Sequence, residues 1–184
     1  MDTIAVSVTG RTPILFDRYS GSNEDQLPPE KKVYLSSEDG KTLVLPAINI
    51  SSFLSSQNAE SAPKRLLGKT WSKVAKAALS FVSIEPMEIP FLRNGKPLTI
   101  DNAGIKILRH VARVKKGSLV IPSPKERPAL DVPWQLDFTL VLYPNPDLSV
   151  NTLQKLFVEG GIAIGFGTFR GVFGKFNVAK WEVS

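Results

Sequence analysis

From Trp134 to Tyr143 every second residue is large and apolar: Trp134, Leu136, Phe138, Leu140 and Leu142 alternate with Gln135, Asp137 and Thr139. A period of two sustained over that length requires an extended strand with one face in a core and the other outside it. Pro144-Asn145-Pro146 ends the strand. Ser149 then stands where an N-cap would open a helix that carries Leu153, Leu156 and Phe157 as far as Gly160, its C-terminal glycine. A glycine-rich segment follows, then a last strand from Lys175 to Val183. That strand is apolar at Phe176 and Val178 and, one residue out of phase, at Trp181 and Val183, which predicts a β-bulge.

The N-terminal half supplies the partners for this strand–helix–strand unit. Ile4 to Gly10 alternates as a strand, and Asn23 to Lys32, with Pro28-Pro29, reads as a loop. Val33-Tyr34-Leu35 and Thr42-Leu43-Val44-Leu45 predict a hairpin turning at Asp39-Gly40. A short helix is expected near Ile48 to Leu54, and a polar loop from Ser55 to Ala62. Lys64 to Val82 predicts the strongest helix, with Leu67, Trp71, Val74, Ala75, Ala78 and Val82 on one face and Lys69, Lys73 and Lys76 on the other. Residues 85–130 read as irregular and too polar for a core element, apart from a hairpin of Ile105–Val114 and Ser118–Ile121 across Lys115-Lys116-Gly117. With one strand of this insertion joining the sheet, the order is β-α-β-β-α-β. That is an α+β, ferredoxin-like (RRM-like) core with helices on one face of the sheet. One domain over residues 1–184 is expected, with an insertion at about 85–130.

Composition narrows the chemistry. There is no cysteine and only one histidine, His110, so a cysteine-based metal site and a multi-histidine site are both excluded within one chain. No run approaches the roughly 18 apolar residues of a membrane span, and the first residues carry no secretory pattern, so a cytoplasmic protein is expected. Charge is unevenly distributed. Residues 64–76 carry net +5 and residues 106–127 carry net +6, whereas the whole chain is only +6, so the remainder is −5. Two basic runs in an otherwise acidic chain point to a polyanionic partner.

Gly160 to Phe176 is the most distinctive stretch. Gly165, Gly167 and Gly171 resemble a dinucleotide fingerprint, but the order of elements is reversed. Phosphate-cradling loops run from a strand through glycines into a helix; here a helix runs through glycines into a strand, so no nucleotide cofactor is expected. Gly165, Gly167, Gly171 and Gly174 instead let the backbone approach an extended ligand. Phe166, Phe169 and Phe173 interleave with Arg170 and Lys175, a combination that suits stacked bases and neutralised phosphates of a single strand. Phe176 reads as core. The nucleic-acid-binding residues expected are Lys69, Lys73, Lys76, Lys106, Arg109, Arg113, Lys115, Lys116, Phe166, Phe169, Arg170 and Lys175. For catalysis the sequence offers little. His110 is a lone histidine, and Asp17, beside Arg18, reads first as half of a salt bridge; no acid–base constellation or metal site is expected.

The segment Gly165-Phe166-Gly167-Thr168-Phe169-Arg170-Gly171 and Phe173-Gly174-Lys175-Phe176, placed between the second helix and the last strand, resembles the RAMP superfamily of CRISPR effector subunits. Leu45-Pro46-Ala47 and Ser51-Ser52-Phe53-Leu54 resemble that superfamily's proline–serine element, without its Lys-Gly and Arg. The basic insertion sits where backbone-type subunits carry a thumb hairpin. The pattern also resembles small phage-encoded proteins with the same C-terminal half, whose setting would be the host cytoplasm. The resemblance implies binding of single-stranded nucleic acid, RNA favoured over DNA, by a non-catalytic homo-oligomer or subunit of a larger complex assembled along the strand. It leaves open two alternatives: a phage protein that mimics or occupies a CRISPR effector subunit through protein contacts, and a ribonuclease using His110 or Asp17.

Overall fold

The computed structural model describes residues 1–22, 24–57 and 61–184; of the loops expected over 23–32 and 55–62, Asn23 and residues 58–60 lie outside the described residues. The elements are β1 (Asp2–Gly10), β2 (Ile14–Leu15), β3 (Val44–Pro46), α1 (Ala47–Ser55), α2 (Ala62–Leu66), α3 (Trp71–Phe81), β4 (Val82–Glu85), β5 (Glu88–Arg93), β6 (Lys96–Pro97), β7 (Lys106–Lys116), β8 (Leu119–Leu130), β9 (Gln135–Leu142), α4 (Val150–Ala163) and β10 (Phe176–Val183). The main sheet runs β10-β1-β9-β5-β3, with β4 pairing β9 beside β5. Counting β4 and β5 as one interrupted strand, this is the ferredoxin-like plan, antiparallel throughout.

The alternation that defines β9 holds through the core: Trp134, Leu136, Phe138, Leu140 and Leu142 are all buried. Opposite them, α4 brings Leu153, Leu156 and Phe157, and α1 brings Phe53. Phe53, Phe157, Phe166 and Phe176 form one aromatic cluster, with Phe53–Phe166 centroids 5.1 Å apart and Phe166–Phe176 stacked at 4.3 Å. Ser149 caps α4 by accepting from the Thr152 amide. In β10 the register shifts between Ser7 and Val8, where Ala179 is extra, so the out-of-phase apolar pairs both reach the correct face.

Several expectations need correction. The helix expected to end at Gly160 runs on to Ala163. Gly160 is in the helix because a Cβ there would sit 2.7 Å from the Phe53 ring and 2.8 Å from Ala62; one at Gly161 would sit 2.6 Å from the Phe176 ring. Close packing, rather than helix termination, selects both glycines. The helix expected over 64–82 is broken: Gly68, at φ +54°, leads a 3-10 turn between α2 and α3, and Val82 already belongs to β4. The hairpin expected over 33–45 is reduced to one bridge between Leu35 and Leu43, and β3 pairs β5 instead.

The largest correction concerns residues 85–130. The strand that joins the main sheet is β4–β5, ahead of the hairpin, with Ile89 and Phe91 fully buried. Pro86 and Pro90 hide it from a sequence reading, since proline removes a ladder donor. The hairpin itself, β7–β8, belongs to a separate three-stranded sheet with β2. It is longer than expected and turns at Gly117-Ser118, with Gly117 at φ +61°, because Lys116 pairs Leu119. β8 accommodates Pro122, Pro124 and Pro128 without loss to β7. The Pro128 carbonyl accepts from the Phe16 amide, on the side away from β7, and Pro122 and Pro124 share its parity. The same prolines blunt the free edge of the hairpin against strand addition.

Candidate nucleic-acid interface

The glycine segment is a folded crossing of two backbone stretches. Gly165, Gly167, Gly171 and Gly174 all have positive φ, between +71° and +90°. The Phe166 amide donates to the Gly174 carbonyl at 2.9 Å, and the Gly171 amide to the Ile164 carbonyl at 2.7 Å. The segment is tied to α1: Gly167 donates to Asn49 Oδ1 at 2.9 Å, and the Arg170 guanidinium to Ser52 Oγ at 3.3 Å. It is tied to the start of β2 by Gly174 donating to the Pro13 carbonyl, and Lys175 to Thr12 Oγ1. The region of the proline–serine resemblance therefore holds the glycine segment. Asn49 went unnoticed in the sequence, where nothing distinguishes it from any polar residue on a short helix.

The hairpin is fixed on this segment through its inner face. His110 of β7 stacks on Phe169, centroids 4.8 Å apart at 21°, with Phe173 tilted beside both. Phe169 holds this position at φ +54°, left-handed backbone that is uncommon outside glycine. Arg127 of β8 donates through Nε and Nη2 to Asp17 Oδ2 at 2.9 and 2.7 Å, and through Nη1 to His110 Nε2 at 3.1 Å. A guanidinium can only donate, so Nε2 accepts and Nδ1 carries the proton. Lys32 contacts the other Asp17 oxygen at 3.2 Å. Asp17 is salt-bridged, as its sequence setting suggested, but to Arg127 and Lys32; Arg18 turns away to the carbonyls of Lys31 and Val33.

These contacts shift both groups. Burial works against ionisation of Asp17, yet hydrogen bonds and charge from Arg127 and Lys32 outweigh it and hold the carboxyl below its usual 3.8. Burial, then the Arg127 charge, push His110 below its usual 6.5, with Asp17 opposing and Lys125 adding to the fall. In both cases the unfolded chain binds the proton more readily. Stability is therefore full above the unfolded pKa and lost as pH falls through the lower folded value. His110 is the chain's only histidine. Urea midpoints should thus decline as pH falls from about 7 to 5, the range where histidine titrates, and decline again where Asp17 is protonated. His110→Phe, which keeps the stack on Phe169, should abolish the first decline. A midpoint rising on acidification between pH 7 and 5 would contradict the neutral assignment.

The expected site residues divide by position. Phe166 is fully buried in the aromatic cluster and is not available to a ligand. Phe169 is 36% exposed, with one face taken by His110. Lys106 pairs Asp131 at 2.6 Å, Arg109 pairs Glu126 at 2.7 Å and Lys73 pairs Asp147 at 3.5 Å. Arg113, Lys115, Lys116, Lys69 and Lys76 are exposed and have no salt-bridge partner among the described residues. Lys175 is half-buried, its main chain occupied by Arg11 and Thr12. Strand alternation puts Arg109, Val111, Arg113 and Lys115 on the hairpin face opposite His110. A clamp with the strand held between glycine segment and hairpin is therefore not what the geometry provides: that junction is already filled by His110, Phe169 and Arg127, and the basic face points outward. Lys69, Lys73 and Lys76 lie apart, in the helical layer, where α3 packs mainly on α1, α2 and β4.

The open face of the main sheet differs again. By register it presents Ser7, Glu85, Asp137, Thr139, Lys180 and Glu182 and no aromatic ring. Sheets of RRM type bind single strands by stacking bases on aromatics at that face; this one is acidic, which leaves the outer hairpin face as the exposed basic surface outside the helical layer.

No protein-family model matches the chain, and no curated protein matches it in sequence. Among solved structures, a chain of the cryo-electron microscopy structure of "the Type III-B Cmr-beta bound to cognate target RNA" has a similar fold, with a TM-score of 0.63 at 14% identity. The match covers 99% of this chain and 60% of that one. At this identity the likeness is one of fold alone, in keeping with the ferredoxin-like plan of the main sheet. No helix among the described residues is long and apolar enough to cross a membrane.

Proposed function

We infer that this chain binds single-stranded nucleic acid, RNA favoured over DNA, without cleaving it, as one subunit of an assembly along the strand. The observation that carries the reading is the far end of the hairpin, where Arg113 and Lys115 on the outer face and Lys116 next to the turn are exposed without acidic partners among the described residues. The fold supports it, since its neighbour comes from an RNA-bound assembly. Asp17 and His110 serve structure in this reading: the carboxylate is held by two cations and the imidazole by Arg127 and Phe169. Phe169, Arg170 and Lys175 extend the contact surface beyond the hairpin in this reading, whereas Lys69, Lys73 and Lys76 stay outside it in the helical layer.

Fluorescence anisotropy with an unstructured RNA 30-mer, across salt concentrations, tests the reading. Single-strand binding loses affinity with a slope near −0.7 per neutralised phosphate. Three unpaired cations then give a slope of about −2, or an affinity falling about 15-fold between 50 and 200 mM salt. Salt-independent affinity, or no binding at 50 mM, would reject it. Size of the complex should increase with oligonucleotide length; a fixed size would remove the assembly and leave the binding.

A further inference from the structure

Between the hairpin and the segment Gln26–Lys32 lies a groove of about 780 Å³ that shares only Arg109 with the anticipated nucleic-acid-binding residues. Its apolar lining is Leu27 and Pro29 from one wall and Val111 and Pro124 from the other; Lys32 and Lys125 supply charge, and the Arg109–Glu126 pair, neutral as a pair, completes the rim with His110 and Gln26. Val111 is 59% exposed although it stands in the middle of β7, so an apolar side chain is left uncovered at the groove wall. Lys32 is committed to Asp17, whereas Lys125 has no salt-bridge partner among the described residues. The groove opens onto the outer hairpin face, where Arg109, paired with Glu126, precedes Val111 and the unpaired Arg113 and Lys115 follow it in strand alternation.

We propose that this groove is a nucleotide subsite: it takes one base of the strand against Leu27, Pro29, Val111 and Pro124, with the attached phosphate on Lys125. The inference rests on the single-strand reading above and extends it to a site. Three features support a nucleotide over other ligands. The volume falls in the range of small-molecule sites, about 300–1,000 Å³. Apolar side chains and cations line one groove along the β8 edge, Pro124 and Lys125 as neighbours in sequence, as a flat base joined to a phosphate requires. And the unpaired Arg113 and Lys115 lead away from Val111 toward the turn of the hairpin, giving the backbone a path: residues two apart on a strand repeat about every 6.6 Å. An acidic peptide would use the cations but leave the proline and valine walls without a role.

Two measurements test it. In ¹H–¹⁵N spectra, uridine 5′-monophosphate should shift the amides of Leu27, Lys32, Val111 and Lys125 in a saturable, millimolar titration. Val111→Glu, at an exposed position, should abolish those shifts and weaken RNA 30-mer binding at least tenfold with an unchanged melting temperature. Lys125→Ala should weaken both by a smaller factor. If the 30-mer binds but the mononucleotide moves none of these amides and Val111→Glu binds normally, the subsite is wrong and the single-strand reading stands. If the mononucleotide binds in the groove but the 30-mer does not bind, the strand reading fails and the nucleotide site stands. Groove shifts with oligoglutamate and none with the mononucleotide would overturn the proposal in favour of a peptide.

Discussion

Gly174→Ala should cost more than about 4 kcal/mol, the range reserved for severe steric conflicts, and Gly171→Ala only about 1–2 kcal/mol. Both residues have positive φ, +71° and +90°. The difference is what surrounds them. A Cβ on Gly174 would overlap the carbonyl oxygen of Phe166, whose ring is locked between Phe53 and Phe176, so neither strand of the crossing can retreat. A Cβ on Gly171 meets nothing within 4 Å, leaving only the cost of left-handed backbone. In a chain of this size each kcal/mol lowers the melting temperature by about 2–4 °C. Gly171→Ala should therefore melt within about 8 °C of wild type, and Gly174→Ala should melt well below that or fail to fold. Equal losses in the two variants would mean that the crossing yields and that conformational freedom alone explains the glycines. Gly165→Ala should resemble Gly174→Ala, since its Cβ would overlap the Gly174 carbonyl.

The glycines show what a sequence reading can and cannot reach here. Their place between a helix and a strand, in that order, was legible because the order of elements is local information. Their role as a packed crossing was not local: it depends on Phe53, Phe166 and Phe176 converging from three elements. Gly160 was misread for the same reason, as helix termination is the commoner use of glycine and only contact with Phe53 and Ala62 reveals the other. The alternation in β9, the Ser149 cap and the bulge in β10 were legible because each is a property of neighbouring residues. β5 was not, since Pro90 interrupts its pattern while Ile89 and Phe91 are buried. In the hairpin, a turn placed too early shifted the pairing: it would set Arg109 against Ser123, whereas the Gly117-Ser118 turn sets it against Glu126. One misplaced turn thus turned a neutralised arginine into an apparently free one. Arg127, which joins Asp17 to His110, carried no signal at all; its partners are 110 and 17 residues away in sequence.

The strongest effect on binding should come from reversing the hairpin charges together, in Arg113→Glu with Lys115→Glu and Lys116→Glu. All three side chains are exposed and unpaired among the described residues, so the fold should tolerate the change and the melting temperature should stay close to wild type. Three lost phosphate contacts make the salt slope flatter by about 2, and the new carboxylates repel the strand as well, so affinity at low salt should fall at least 30-fold, order of magnitude. The comparison that gives this meaning is Lys69→Glu with Lys73→Glu and Lys76→Glu, which changes net charge by the same amount in the helical layer. Lys73 there is already paired with Asp147, and α3 packs against α1, α2 and β4 rather than on the hairpin. If binding follows a located surface, the helical variant should weaken it less than about threefold and leave most of the slope, since screening at this ionic strength limits distant charges. Equal losses would show that net charge alone attracts the strand, and the hairpin would then be one basic patch among others. A larger loss in the helical variant would move the ligand to α3.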